Sequence, residues 1–408
     1  MGTSGRTALL CLGLANCGDS DDAVTADGSF DLGGDRVADQ DLGLPDGEPI
    51  DSPMDRPKAD APMMDGSIDG PIQDIGMDVP PMDMNDAPAD RIADVGPDGG
   101  TFAGPGDVAP SSGSCGGGGV PRTTCSRVIV DCPSVPSIEA EIRVTQPAGP
   151  SRLGVIVFAT GGYGDSWFEQ YAQGRRILRE LSDEGYLVIQ RRWLSPWEEG
   201  PGGMLAVSCR YAALLAWAYN SYHTSGGFCA TGGSGGSSEV SYALSHWGMG
   251  AILDYAVPTS GPPMARMDHG CLDTGDRAWL DTCADFFDRY GICAAGRQRC
   301  GYGTGDAIDL AYTPGTPCAS MTASARGMLF SDSVDGTGAS FHYGSTPVHF
   351  IFAATDCSNA IPMGLGYYEA ITSTKSHEVL TDPSVEHSLH ASTVGANAIA
   401  DALRSGCH

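Results

Sequence analysis

The stretch FCATGGSGGSSEVSYALSHW, residues 228–247, decides the fold. A short apolar strand ends at Thr231, the chain passes through Gly232-Gly233-Ser234-Gly235-Gly236, and apolar residues then recur at helical spacing. A serine on a sharp strand-to-helix turn has a strained backbone, so the positions two residues away must lack side chains. A Gly/Ser-rich loop is the alternative in a chain with 57 glycines. The strand before the turn and the helix after it favour a nucleophilic Ser234.

A second glycine turn, Thr160-Gly161-Gly162-Tyr163-Gly164, follows the continuous apolar run 153–159. Such a run is typical of a buried parallel strand. The loop after this strand would supply one backbone N–H to an oxyanion hole, from Gly162 or alternatively from Tyr163. The other donor would be Gly235, the residue after the nucleophile. Two fixed donors stabilise a tetrahedral oxyanion, and the loss of one raises the barrier by about 3–4 kcal/mol.

A nucleophilic serine needs a base and an acid, expected in the chain order Ser, Asp/Glu, His. Asp356 lies just after the apolar run 348–353 and is the predicted acid, while Asp268 and Asp273 are weaker candidates. His387 is the predicted base, because it lies between the last predicted strand and the final helix. His390, three residues further on, is the alternate base.

Strand and helix patterns alternate through most of the chain, which predicts an α/β fold with a mostly parallel twisted sheet flanked by helices. Between residues 262 and 345 this rhythm breaks. That segment contains five cysteines, many Gly and Asp residues and few long apolar runs. We expect it to be a disulfide-rich cap inserted between two core strands, and long insertions of this kind often shape binding sites.

Together these residues resemble the α/β-hydrolase superfamily over residues 127–405, apart from the cap. The resemblance implies that His387 takes the proton of Ser234, that Asp356 orients the imidazole, and that an acyl-enzyme forms and is hydrolysed without a cofactor or metal. Thr160 replaces the His or Gly usual before the oxyanion glycines, and Gly233 replaces a larger residue before the nucleophile.

Hydrolysis of carboxylic esters, either small molecules or polymers, is the activity that the resemblance favours, by analogy of fold. A secreted serine peptidase would use the same residues and is the alternative. A depolymerase acting on polyesters or plant-wall esters is a polymer-directed variant, and a non-catalytic binding module is the least favoured reading.

Trp193 and Trp197 follow a predicted core strand near the edge of the sheet where the active site is expected. They are candidates for lining a substrate pocket. Ordinary packing against the cap explains them equally well.

Cysteine usage points to an oxidising compartment. Twelve of the 14 cysteines are spread between Cys115 and Cys407, which suggests up to six disulfides. No Cys-x-x-Cys pair occurs and no histidine pairs with cysteines at ligand spacing, so a zinc site is disfavoured.

The N-terminal quarter carries most of the charge and no core. Residues 1–17 are predicted to be a signal peptide, and the sequence around Cys17 is similar to a bacterial lipobox, which makes a membrane tether through lipidation an open alternative. Residues 18–114 are predicted to be an acidic, disordered linker. Its 18–100 portion has 21 Asp and one Glu against three Arg and one Lys, a net charge of −18 out of −28. Such a charge disfavours nucleic-acid binding.

The catalytic domain is thus assigned to residues 115–408. The expected location is outside the cell or anchored to its outer surface, in a bacterial envelope. The sequence carries no indication of oligomeric state.

Overall fold

The computed structural model describes residues 101–150, 152–271, 276–294, 298–301 and 305–408. The predicted signal peptide, Cys17 and almost all of the predicted linker lie outside these ranges. Within them, no helix is both long and apolar enough to cross a membrane.

One mixed sheet organises the described chain. In chain order its strands are β1 (Asp107–Ser111), β2 (Thr123–Cys132), β3 (Val135–Thr145), β4 (Gly154–Ala159), β5 (Tyr186–Trp193), β6 (Gly227–Gly233), β7 (Tyr255–Thr259), β8 (Val348–Ala353) and β9 (Lys375–Leu380). Their spatial order is β1-β2-β3-β5-β4-β6-β7-β8-β9. The pairs β1–β2, β2–β3 and β3–β5 are antiparallel, and all later pairs are parallel.

Helices follow most of the parallel strands. They are α1 (Ala172–Glu184), α2 (Met204–Tyr222), α3 (Gly235–Ser245), α4 (Met267–Gly270), α5 (Arg277–Tyr290), α6 (Asp306–Asp309), α7 (Pro317–Ser320), α8 (Ala323–Ser331), α9 (Ala360–Ala370) and α10 (Thr393–Gly406). The strand–helix rhythm inferred from the sequence is confirmed, and with it the mostly parallel sheet.

Both faces of the sheet are covered, which explains the unbroken apolar run in β4. Val155 and Val157 belong to the larger apolar core, which also contains buried residues of α2 and α3. Ile156 and Phe158 point the other way, into a second core with residues of α1 and α10. Successive side chains of a strand point to opposite faces, so a strand covered on both sides needs apolar residues at every position.

Regular structure occurs before Cys115, within residues that the sequence assigns to the linker. The start at Cys115 is corrected by β1, which lies within the predicted linker and pairs with β2 at the edge of the sheet. Phe102 is buried, and its backbone N–H donates to the Asn220 side chain at 2.9 Å. Pairing of β1 with β2 and burial of the Phe102 ring hold this stretch in place. The average composition of the acidic segment does not reveal either contact.

Six disulfides staple the described chain, as the cysteine count predicts. They are Cys115–Cys125, Cys132–Cys209, Cys229–Cys407, Cys271–Cys318, Cys283–Cys300 and Cys293–Cys357. The cap between β7 and β8 carries α4 to α8 and contributes five of these cysteines.

Candidate active site

Ser234 lies at a sharp turn between β6, which ends at Gly233, and α3, which begins at Gly235. Its φ of 50° and ψ of −118° fall outside the regions that residues with side chains favour. A Cβ at Gly232 would overlap the carbonyl oxygen of Gly236, and a Cβ at Gly236 would lie 2.7 Å from the carbonyl oxygen of Thr160, so both positions two residues from Ser234 require glycine. The turn is held by the Ser234 N–H, which donates to the carbonyl of Thr259 at 2.9 Å.

The Gly161–Gly164 turn packs directly on this elbow. A Cβ built on Gly161 would lie 3.0 Å from the Cβ of Ser234, and one built on Gly235 would overlap the carbonyl of Gly162. The turn is closed by the Gly164 N–H, which donates to the Gly161 carbonyl at 3.2 Å, and Gly162 has a φ of +59°. The backbone segments that carry the two predicted oxyanion donors, Gly162 and Gly235, are therefore in contact. Tyr163, the alternate donor, belongs to the same turn.

Asp356 and His387 meet at the carboxyl edge of the sheet. Asp356 follows β8, His387 follows β9, and the Nδ1 of His387 lies 2.6 Å from Oδ2 of Asp356. Asp356 is only 5 % exposed, and its Oδ1 accepts the Ser358 backbone N–H at 2.9 Å. When Nδ1 carries the proton donated to Asp356, Nε2 remains free to accept one, as a general base requires.

His387 and Asp356 each stabilise the charged form of the other. Burial disfavours the charged imidazolium, but the charge and hydrogen bond of Asp356 outweigh burial and raise the pKa of His387 above its usual value. Burial likewise opposes ionisation of Asp356, yet His387 and the two hydrogen bonds from Ser358 lower the pKa of that carboxyl. At neutral pH Asp356 is therefore ionised.

His390 lies apart from this pair, in the second apolar core. Its ring stacks on Phe168 with centroids 4.4 Å apart and meets Tyr171 edge-on at 4.9 Å. Its Nε2 is buried without a hydrogen-bond partner, and burial lowers the pKa of His390 to about 4. This environment favours a neutral ring with a packing role.

The weaker acid candidates differ in position. Asp268 is paired with Arg266 in the cap, through two hydrogen bonds of 2.8 Å. Asp273 lies outside the described residues.

Trp193 and Trp197 are each 1 % exposed and belong to the larger apolar core. The indole N–H of Trp193 donates to Glu239 on α3 at 2.7 Å. Exposed apolar side chains at this end of β4 and β5 are instead Tyr163 and Leu194. Neither tryptophan therefore presents its ring to solvent in this structure.

Three polar residues of this region were missed from the sequence. Ser358 contacts the candidate acid, and its Oγ lies 3.3 Å from Nδ1 of His387. Arg191 on β5 and Glu239 on α3 form a fully buried ion pair beside the Gly161–Gly164 turn. For Arg191 and Glu239, the one available signal was a charged residue inside a strand or helix expected in the core. Buried charges are rare unless they are paired.

No group of His, Cys, Asp and Glu residues suited to a metal ion occurs in the described part of the chain.

Comparisons with known proteins find solved structures that are similar to this chain at low sequence identity. No protein-family profile matches it, and no curated protein matches it by sequence. Brefeldin A esterase, described as a bacterial homologue of human hormone-sensitive lipase, is 16 % identical with a TM-score of 0.46, over 70 % of this chain and 77 % of that one. Acetyl xylan esterase from Paenibacillus sp. R4 is 12 % identical with a TM-score of 0.46, over 74 % and 88 % of the two chains.

Acylaminoacyl peptidase from Pyrococcus horikoshii is 9 % identical with a TM-score of 0.43, over 70 % of this chain. The match spans only 42 % of the length of that peptidase. At these scores the likenesses add nothing to what the chain's own geometry shows.

That geometry has three parts: a mostly parallel sheet with the strand order β3-β5-β4-β6-β7-β8-β9, in which only β3 is antiparallel, helices on both of its faces, and a strand–turn–helix elbow at the central strand β6. By this architecture, the chain has the α/β-hydrolase fold.

Proposed function

We propose that this protein is a serine hydrolase that cleaves carboxylic esters through an acyl-enzyme. The observation that carries the proposal is the strained backbone of Ser234, packed against the Gly161–Gly164 turn, with a hydrogen-bonded His387–Asp356 pair at the same edge of the sheet. A strained nucleophile, a base and an orienting acid are the parts that acyl transfer needs.

In the proposed mechanism, Nε2 of His387 takes the proton of the Ser234 hydroxyl as its oxygen attacks the ester carbonyl. Asp356 keeps the other ring proton on Nδ1 and stabilises the imidazolium that forms. The N–H groups of Gly235 and Gly162, or of Tyr163 in place of Gly162, receive the developing oxyanion. His387 then protonates the departing alcohol, and water repeats the sequence to release the acid and regenerate Ser234.

Esters are favoured over amides by analogy with the fold, so amide cleavage is the competing outcome. The six disulfides fit a protein that works outside the cell, and secretion is part of the proposal. Anchoring through Cys17 and action on polymeric esters also remain proposals.

Active-site labelling tests the proposal. A fluorophosphonate probe should label the wild-type protein but not Ser234→Ala. It should also label Ser241→Ala, a matched serine-to-alanine change inside α3, the helix that follows Ser234. Absence of labelling in the folded wild-type protein would refute the proposal.

Nitrophenyl esters of increasing acyl length, assayed beside the matching nitroanilides, then separate an esterase from a peptidase. Faster cleavage of the anilides would assign the peptidase activity instead.

A further inference from the structure

A single buried guanidinium holds both ends of the glycine turn that packs on Ser234. Arg191, on β5, is fully buried. Its Nη1 donates to the carbonyl of Gly164 at 2.7 Å, and its Nη2 donates to the carbonyl of Thr160 at 3.3 Å. These two carbonyls bracket Gly161, Gly162 and Tyr163, so the turn that carries the candidate oxyanion donor is clamped on both sides.

The same guanidinium is tied to the helix that carries the nucleophile. Its Nη2 forms an ion pair with Oε2 of Glu239, which is likewise fully buried and lies near the start of α3. The other carboxylate oxygen of Glu239 accepts the indole N–H of Trp193 at 2.7 Å. Arg191 and Trp193 lie two residues apart on β5 and so share one face of that strand. Glu239 therefore fixes both side chains against α3.

Glycine at position 164 is explained by this contact. With a φ of +69°, any Cβ there would overlap Nη1 of Arg191 and lie 2.6 Å from Cδ1 of Trp193. The Gly164 carbonyl also accepts the Trp193 backbone N–H at 2.9 Å. The backbone of the turn at Gly164 thus packs directly against Arg191 and Trp193 of β5.

We propose that the Arg191–Glu239 ion pair is a positioning device that sets the distance between the two oxyanion donors, one on the Gly161–Gly164 turn and the other at Gly235. The inference rests on the proposed function. Arg191 and Glu239 act on the reaction only through the backbone they hold, since both are sealed from solvent. A donor misplaced by a fraction of an ångström loses stabilisation in the transition state while substrate binding is kept.

Arg191→Lys is the principal test, because lysine keeps the charge but lacks the two separate nitrogens, Nη1 and Nη2, that reach the carbonyls on either side of the turn. We expect kcat for nitrophenyl esters to fall between about tenfold and about a hundredfold, short of the 10²–10³ typical for loss of a whole donor. KM should stay within about twofold, in line with a loss confined to the transition state. Affinity for a trifluoromethyl ketone, whose hemiketal oxygen occupies the oxyanion position, should fall by the same factor as kcat/KM.

Arg143→Lys is the matched control. Arg143 is also a buried arginine that contacts one carboxylate, Glu169, and two carbonyls, those of Gly116 and Gly117, but not the glycine turn. It should lower the melting temperature comparably and leave kcat and ketone affinity within about threefold. Equal kcat values for the two lysine variants would overturn the inference.

Gly164→Ala tests the same clamp without removing a charge, and it carries the test if Arg191→Lys does not fold. Its control is Gly248→Ala, which has a nearly equal φ of +67° and open space around its Cβ. Only the first should lower kcat and ketone affinity, and parallel effects would contradict the proposal.

Wild-type turnover that depends on Ser234 distinguishes failure of the positioning role from failure of the proposed function. If wild-type protein is active and Arg191→Lys matches it, only the positioning role fails. If wild-type protein shows no Ser234-dependent turnover, the proposed function fails, and the positioning role with it.

Discussion

Replacing Asp356 by asparagine should reverse the proton pattern of His387. The carboxylate now accepts from Nδ1 of His387 on one oxygen and from the Ser358 backbone N–H on the other. Asparagine has one acceptor oxygen and an NH₂ group that can only donate. With its oxygen kept on Ser358, its NH₂ group faces Nδ1 and drives the ring proton to Nε2. That tautomer cannot accept the proton of Ser234.

The size of the effect follows from the geometry. At the 2.6 Å separation of Nδ1 and Oδ2, an effective dielectric of about 20 gives about 6 kcal/mol of attraction between imidazolium and carboxylate. Each 1.36 kcal/mol is tenfold in rate, so loss of the charge predicts a fall in kcat on the order of 10⁴-fold. The side-chain volumes are nearly equal, and we expect little change in packing.

The assay is steady-state hydrolysis of a nitrophenyl ester from pH 5 to pH 9. Because Asp356 raises the pKa of His387 and the base must be neutral, activity of the wild-type protein should decline on the acid side from above pH 6.5. Any residual activity of Asp356→Asn should decline only at lower pH, since the raising charge is gone.

Ser358→Ala is the control, because it keeps the carboxylate and the backbone N–H that Asp356 accepts, and removes only the hydroxyl, which bonds to Asp356 and lies 3.3 Å from Nδ1. Its kcat should fall less than about tenfold, the scale of one ordinary hydrogen bond. An Asp356→Asn variant that retains a tenth of wild-type kcat would refute the assignment of the acid and turn attention to Asp268.

Two further predictions concern stability. Because burial lowers the pKa of His390 to about 4 while an unfolded histidine titrates near 6.5, the unfolded state binds the extra proton first, and stability falls as pH drops through this window. His390→Phe should therefore reduce the loss of unfolding free energy between pH 7 and pH 5 by about 2 kcal/mol in urea titrations, with activity retained; an unchanged loss contradicts the buried neutral ring. Removing the Cys293–Cys357 disulfide, which closes a loop of 64 residues beside Asp356, should lower the unfolding free energy by about 4 kcal/mol and should also lower kcat. Removing Cys115–Cys125, which closes a loop of 10 residues, should lower the unfolding free energy by about 3 kcal/mol and leave kcat unchanged. Equal kcat values in the two variants would show that Cys293–Cys357 does not position Asp356.

Local pattern accounts for how well the sheet was predicted. The run 153–159 became β4 at Gly154–Ala159, and the glycine pentapeptide spans the end of β6, the turn at Ser234 and the start of α3. These features are encoded by neighbours in the chain, because apolar runs, turn glycines and helical spacing are all short-range. β1 was missed because its partner strand, not its composition, stabilises it.

Contacts between distant residues had to await the structure. Trp193 was considered for a substrate pocket, yet its indole donates to a carboxylate 46 positions further along the chain. Ser358 gave no signal at all in the sequence, because a serine near a candidate acid is common in loops.

The sequence by itself determined the class of fold, the turn around Ser234 and the number of disulfides, since each depends on residue type and local spacing. Only the tertiary structure decided which histidine pairs with Asp356, which cysteines join, and that Arg191 and Glu239 lie between the glycine turn and α3. Those relations join segments that the chain separates by tens to hundreds of residues. Parallel strands bring their carboxyl ends to one edge of the sheet, and pairing there depends on packing in three dimensions that no local pattern records.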